Sequence, residues 1–115
     1  AQFRARQLHR HNDHVTLMRT TVEENHALGR EIARKLAASR GPARLFFPLR
    51  GVSALDCAGK PFDDPAARTA LLAGLRSTSP AISITELDLH INDAVFAERC
   101  ARELLALMGV ASAKA

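Results

Sequence analysis

Val15-Thr16-Leu17-Met18-Arg19-Thr20-Thr21-Val22-Glu23-Glu24 compresses a strand, a turn and a helix start into one stretch. Val15 to Met18 is short, apolar and rich in β-branched side chains, as a strand should be. Thr21 to Glu24 spells T-x-x-E, the capping box that opens a helix. The same order recurs twice. Ala43-Arg44-Leu45-Phe46-Phe47-Pro48 is a nearly continuous apolar run, expected of an interior parallel strand, and leads into the loop Leu49-Arg50-Gly51-Val52-Ser53-Ala54-Leu55-Asp56. Ile82 to Leu87 alternates apolar and polar side chains, which predicts an edge or partner-facing strand, and leads into Asp88 to Asp93. The predicted order is β-α-β-α-β-α, with connections long enough for parallel strands and right-handed crossovers. This describes an α/β, Rossmann-like three-layer domain with a small parallel sheet. Its three strand-to-helix loops would share the carboxyl edge, where such folds bind ligands.

The helices follow from spacing and punctuation. The first should run from Thr21 to about Ser39, with Leu28, Ile32 and Leu36 on its buried stripe and Gly29 allowing close approach to the sheet. Arg40-Gly41-Pro42 ends it, because Gly can turn left-handed and Pro cannot continue the hydrogen-bond ladder. Asp64-Pro65 starts the second helix with an N-cap and a first-turn Pro, and Ala67, Leu71 and Leu75 form its apolar stripe. Ser77-Thr78-Ser79-Pro80 breaks the chain. Asn92-Asp93 starts a third helix whose apolar face would be Phe96, Cys100, Leu104 and Met108, with Ala97 and Ala101.

Composition bounds what the chain can be. Its 115 residues, 47% hydrophobic and 24% charged, suit one domain: residues 15–109, preceded by a basic lead-in segment or linker (1–14) and followed by a short tail (110–115). Nothing approaches the roughly 18 apolar residues of a membrane span, and Ala1-Gln2-Phe3-Arg4 lacks the core of a signal peptide, so the expected setting is soluble and cytoplasmic. The first residue is not Met, and excision from a longer polypeptide, processing or cloning would each leave such an end. Cys57 and Cys100 form neither a CxxC pair nor a zinc spacing; Cys100 reads as core and Cys57 as a loop thiol. His9, His11 and His14 are irregularly spaced without a thiolate partner, so they read as a polar segment and no metal site is assigned.

Charge is uneven. Residues 1–50 carry ten Lys/Arg against four Asp/Glu, and residues 51–115 carry six against eight. The basic half invites an anion. These residues neither cluster in one run nor alternate with aromatics, which argues against nucleic acid. A small phosphorylated ligand needs only one or two arginines.

The candidate site residues lie in the three loops. Thr20 and Thr21 precede free helix amides at the positive end of the helix dipole, so a phosphate could rest there with Arg19 as counter-charge; the structural alternative is that Thr21 only caps the helix. In Arg50-Gly51-Val52-Ser53, Gly51 permits close backbone approach, Ser53 adds a hydroxyl and Arg50 offers a planar donor fork. Neither a Walker loop nor G-x-G-x-x-G is present, so nucleotide recognition would need another construction. Asp88, His90 and Asn92 would share a face if the last strand continued through them, and Asp93 reads first as an N-cap. Asp56 could add a carboxylate to a magnesium-assisted site.

Several ordered motifs also carry a resemblance. His11-Asn12, Val15 to Thr21, Pro48 to Asp56, Pro61-Phe62 and His90-Ile91-Asn92-Asp93 resemble the carboxyl-terminal domain of the uncharacterised ATP-binding proteins related to the tomato protein that inhibits tomato mosaic virus replication. The likeness runs from about Phe3 to Met108. It departs at Asp13 and Ala94, where Pro is expected. It implies two Rossmann-like domains facing each other across a cleft, ATP binding, self-association into dimers and an amino-terminal domain that this chain lacks. The plant member's binding of a viral replication protein does not carry over without that context.

Together these readings predict the carboxyl-terminal half of a protein that binds an ATP-like nucleotide, with or without Mg²⁺, or a phosphometabolite. Arg19, Thr20, Thr21 and the Arg50 to Ser53 loop would hold anionic oxygens, and Asp88, His90 and Asn92 would orient a second group. Two alternatives remain open: an enzyme acting on a phosphate ester or sugar nucleotide with His90 as acid/base, and a protein–protein assembly module.

Overall fold

A computed structural model describes residues 2–78 and 81–109. Its elements are β1 (Leu8–Asn12), β2 (Val15–Met18), α1 (Val22–Ala37), β3 (Leu45–Pro48), α2 (Pro65–Leu75), β4 (Ile84–Leu87) and α3 (Ala94–Leu107). Every predicted helix and strand is present. Ser79, Pro80 and the tail from 110 lie outside the described residues.

The strands divide into two pairs. β3 and β4 lie parallel, with Leu45 opposite Ile84 and Pro48 opposite Leu87, as the crossover through α2 requires. β2 departs from expectation. It pairs antiparallel with β1, in the segment read as a lead-in or linker, and among the described residues no strand ladder joins it to β3. The reason is local. Asn12 Oδ1 accepts the His14 N–H at 2.8 Å, closing a tight turn that folds Val15–Met18 back on Leu8–Asn12. His9 then meets the edge of the Phe62 ring, with centroids 6.1 Å apart. The described architecture is thus mixed α/β with two small sheets, one of them a parallel pair.

The helix starts follow their sequence signals. Thr21 Oγ1 accepts the Glu24 N–H and Glu24 accepts the Thr21 N–H, completing the capping box. Asp64 accepts the Ala67 N–H at the start of α2, with Pro65 at its first position. Asp93 begins α3 without a side-chain cap bond; its Oδ2 accepts the His90 N–H instead, at 2.9 Å.

Packing corrects the predicted stripes. The buried line of α1 is Asn25, Gly29 and Ala33, whereas Leu28 and Ile32 are exposed. Gly29 brings α1 against α2 rather than against the sheet. A Cβ on Gly29 would lie 2.3 Å from the Leu71 carbonyl oxygen, and one on Gly74 would lie 2.2 Å from that of His26. Two glycines facing each other let the helix backbones approach where leucines would hold them apart. The α2 stripe holds as read, with Ala67 and Leu75 buried and Leu71 half-buried.

On α3 only Phe96 is buried. Cys100, read as core, is exposed, and Leu104 and Met108 are 58% and 65% exposed. The apolar stripe exists, but the described chain provides no layer to cover it. The radius of gyration, 16.4 Å, exceeds the roughly 13 Å of a compact domain near this length.

Candidate functional site

The loops after β3 and β4 continue the strand pairing beyond the sheet. Arg50 N–H donates to the Leu89 carbonyl at 3.0 Å and Ile91 N–H to the Gly51 carbonyl at 3.0 Å. Side chains lock the same junction. Arg50 Nε and Nη2 donate to the two Asp88 oxygens at 2.9 and 3.1 Å, a bidentate pair. The Arg50 hydrogen bonds, and then its charge, hold the Asp88 carboxyl below its ordinary value, so both partners are ionised at neutral pH. Both are also well exposed, at 65% and 72%, so the pair exchanges readily with solvent or another anion.

His90 is committed on both nitrogens. Its Nε2 lies 2.7 Å from the Ser53 carbonyl oxygen, which can only accept, so Nε2 carries the proton. Its Nδ1 accepts the Asn92 N–H at 3.1 Å. The ring therefore latches the β3 loop to the β4 loop. Gly51 makes this approach possible: at φ +138° it holds a conformation L side chains rarely adopt, and a Cβ there would lie 1.7 Å from the Asp56 carbonyl oxygen and 2.9 Å from His90 Cδ2. The close approach that glycine allows at this point is to the chain's own loop.

Beneath the loops lies a buried charge cluster. Asp56 is nearly inaccessible; its Oδ1 accepts from Arg68 Nη1 at 2.7 Å and lies 3.0 Å from Arg19 Nη2, while its Oδ2 accepts the Val52 N–H at 3.2 Å. Arg68 also donates to Asp63 at 3.1 Å. Burial works against the charge on Arg68, but its bonds to Asp56 and Asp63 outweigh that and raise its pKa. Arg19 is only 7% exposed; its Nη2 contact with Asp56 lacks hydrogen-bond alignment and its Nε has no hydrogen-bond partner. Two arginines thus converge on one carboxylate, tying the end of β2 and the start of α2 to the β3 loop.

The sequence-selected residues sort accordingly. Arg50, Gly51, Val52, Ser53, Asp88, His90, Asn92 and Asp93 are brought together at the carboxyl end of β3 and β4. Arg19 reaches the same structure from below, through Asp56. Thr20 and Thr21 are engaged at the start of α1: Asn25 Nδ2 donates to Thr20 Oγ1 at 2.9 Å and to the Thr21 carbonyl at 2.8 Å, Arg19 Nη1 donates to Thr20 Oγ1 at 3.4 Å, and Arg6 Nη2 donates to the Arg19 carbonyl and to Glu24. The α1 start is therefore closed by its own side chains, including a carboxylate. Asp56 has both oxygens engaged and cannot serve an exposed magnesium site. Among the described residues, no group of three or more His, Cys, Asp or Glu is placed to hold a metal ion, and no helix is long and apolar enough to cross a membrane.

Arg68 is the functional candidate the sequence reading missed. A signal for it existed, because an arginine one turn into α2 opposes the positive end of the helix dipole unless a specific anion faces it. It lines a pocket of about 590 Å³ with Leu49, Arg50, Cys57, His90 and Asp93. This pocket opens at the carboxyl end of the parallel pair, where α/β sheets take ligands.

The fold and this pocket define an α/β domain with arginines at the carboxyl edge of a parallel strand pair. The chain belongs to the uncharacterised protein family UPF0261: residues 1–108 match its C-terminal domain. It is 52% identical to a UPF0261 protein of Rhizobium meliloti over 100 residues, covering 84% of this chain and 25% of that protein. It is 40% identical to a UPF0261 protein of Clostridium tetani over 109 residues, covering 93% of this chain and 27% of that protein. It is 42% identical over 99 residues to the ToMV resistance protein Tm-1(GCR237) of Solanum lycopersicum, covering 84% of this chain and 13% of that protein. The chain thus spans about a quarter of its bacterial relatives and is a carboxyl-terminal part of a larger family protein.

Proposed function

We propose that this chain forms a carboxyl-terminal part of a two-domain protein that binds an ATP-like nucleotide or a phosphometabolite, its phosphate seated in the pocket beside Arg50 and Arg68. The observation that carries this reading is that both arginines line one open pocket at the carboxyl edge of β3 and β4. Arg68 is held in place by Asp56 and Asp63, whereas Arg50 can exchange Asp88 for a phosphate oxygen at small cost, the pair being exposed. Backbone N–H groups of the Arg50 to Ser53 loop would supplement that fork. Arg19, Thr20 and Thr21 then act as supports that set the loop's position. A Rossmann-like three-layer sheet would be completed by the amino-terminal part of the polypeptide, which would also wall the pocket, in a cytoplasmic protein that self-associates.

His90 fits this binding role better than acid/base catalysis, because a proton relay would have to break its bond to Ser53 or to Asn92. The test is an amide NMR titration with ATP, with and without Mg²⁺, using inorganic phosphate as a control. Saturable shifts at Gly51 to Ser53 and His90 are expected, weakened about tenfold or more in Arg50→Ala. An absence of shifts at these amides, or equal affinity in Arg50→Ala, would sink the proposal.

A further inference from the structure

A second concavity, distinct from the Arg50 pocket, lies between α3 and β3. It has a volume of about 350 Å³ and is lined chiefly by Phe46, Ile91, Phe96, Cys100, Leu104 and Leu107. Its rim is charged: Arg44 Nε lies 3.4 Å from Glu103, and the Arg99 guanidinium sits 6.0 Å from the Phe46 ring centroid. Val95, Leu104 and Leu105 on α3 and Met108 at its C-cap are all exposed. An apolar surface of this kind with a polar border marks a place where another element docks.

The neighbouring strand narrows what that element can be. Leu45 N–H donates to Ser83 and Leu49 N–H to Leu87, so the peptide groups of Phe46 point away from β4. No described strand pairs with that edge. Parallel strands are found with both faces covered and in sheets larger than one pair, and a two-stranded sheet is marginal alone. The occupant of the groove must therefore be coupled to added strands. Two copies related by a two-fold axis would pair their identical edges antiparallel, whereas continuing a parallel sheet calls for strand–helix crossovers supplied by one polypeptide. About three-quarters of the Rhizobium meliloti relative lies outside the matched segment, ample chain for that purpose.

We infer that the α3–β3 groove is the intramolecular seat of an amphipathic helix from the amino-terminal part of the family polypeptide, whose adjoining strand extends the sheet at β3. This assignment is independent of phosphate binding, because none of the groove residues lines the pocket beside Arg50 and Arg68.

Cys100 is a built-in reporter, since it lines the groove, while Cys57 lines the other pocket. The part of the Rhizobium meliloti protein preceding its matched segment would be joined in front of this chain, and maleimide labelling of each cysteine followed by peptide mass spectrometry. In the 115-residue chain alone, Cys100 should label readily at every protein concentration. In the joined protein its rate should fall about tenfold or more from its value in the chain alone, as expected for a thiol reached only through local opening. Leu104→Glu should restore rapid labelling, and Leu28→Glu on exposed α1 should not. Equal Cys100 rates in the chain and the joined protein would overturn the inference. So would protection in the chain alone that grows with concentration, because that would make a second copy the occupant. Protection unaffected by Leu104→Glu, with α3 still helical by circular dichroism, would also overturn it.

Discussion

The α1–α2 seam and α3 both carry apolar stripes and meet opposite fates. Between α1 and α2, Gly29 and Gly74 remove the side chains that would separate the backbones, so small residues do the packing and Ala33 and Ala67 are fully buried. On α3 the larger side chains Leu104, Leu105 and Met108 stay exposed. Burial therefore follows the availability of a complementary surface rather than hydrophobicity alone. A helix whose partner lies within the chain is finished, and one whose partner lies elsewhere keeps its stripe open. The charges divide similarly: Asp56 sits between buried Arg19 and half-buried Arg68, whereas Arg50 and Asp88 meet in solvent.

The strongest test of the finished side is Asp56→Ala. It leaves Arg19 and Arg68 without their shared carboxylate and frees the Val52 N–H. Breaking a buried ion pair from one side costs about 3–5 kcal/mol. Urea denaturation of wild type and variant should show that loss, and the β3 loop amides should broaden or shift with it. A cost below about 1 kcal/mol, the usual value of an exposed pair, would mean that the cluster is hydrated and that the contrast with Arg50–Asp88 is false.

Gly74→Ala comes next. Alanine favours a helix by about 1 kcal/mol over glycine, so an exposed site would be stabilised. In the seam the new methyl would meet the His26 carbonyl oxygen at 2.2 Å and the Arg30 nitrogen at 3.0 Å, both backbone atoms that cannot swing away. The helices must part, and a net loss of about 1–3 kcal/mol is expected from overpacking. A stabilised variant would show that the seam is looser than its geometry implies.

How much of this could be read from sequence depends on the range of each cause. The capping box at Thr21 and Glu24, the Asp64-Pro65 start and the three post-strand loops are set by neighbours within a few residues, and the chain spells them out. The β1–β2 hairpin is nearly as local, yet its turn at Asn12 to His14 lacks the Gly that usually announces one, and its strand Leu8–Asn12 is polar. The stripe of α1 departs from the one its sequence suggests because Leu28 and Ile32 carry the stronger hydrophobic signal, while the buried line is small and polar. Its function as a seam emerges only when Gly29 and Gly74 face each other across the sequence. The candidate site divides the same way. Arg50, Gly51 and His90 were legible as loop residues, but the partners of His90 are carbonyl and amide groups that no side-chain pattern reveals. Arg68 was legible only as a charge of the wrong sign for its helix turn.

The smallest expected effect belongs to α3. Leu104→Gln alters a large apolar side chain near the middle of the stripe, which in a closed core would cost several kcal/mol. Leu104 is 58% exposed, so in this chain the change should stay within about 0.5 kcal/mol by urea denaturation, as for other surface substitutions. The comparison becomes sharp in the longer polypeptide. If the amino-terminal part covers the groove, the same substitution made there should cost about 1–3 kcal/mol, because glutamine brings an amide into an apolar seat without a partner. One residue would then read as surface in the part and as core in the whole. An equal, small cost in both would leave α3 a solvent-facing helix, and a missing partner would no longer account for its exposed stripe.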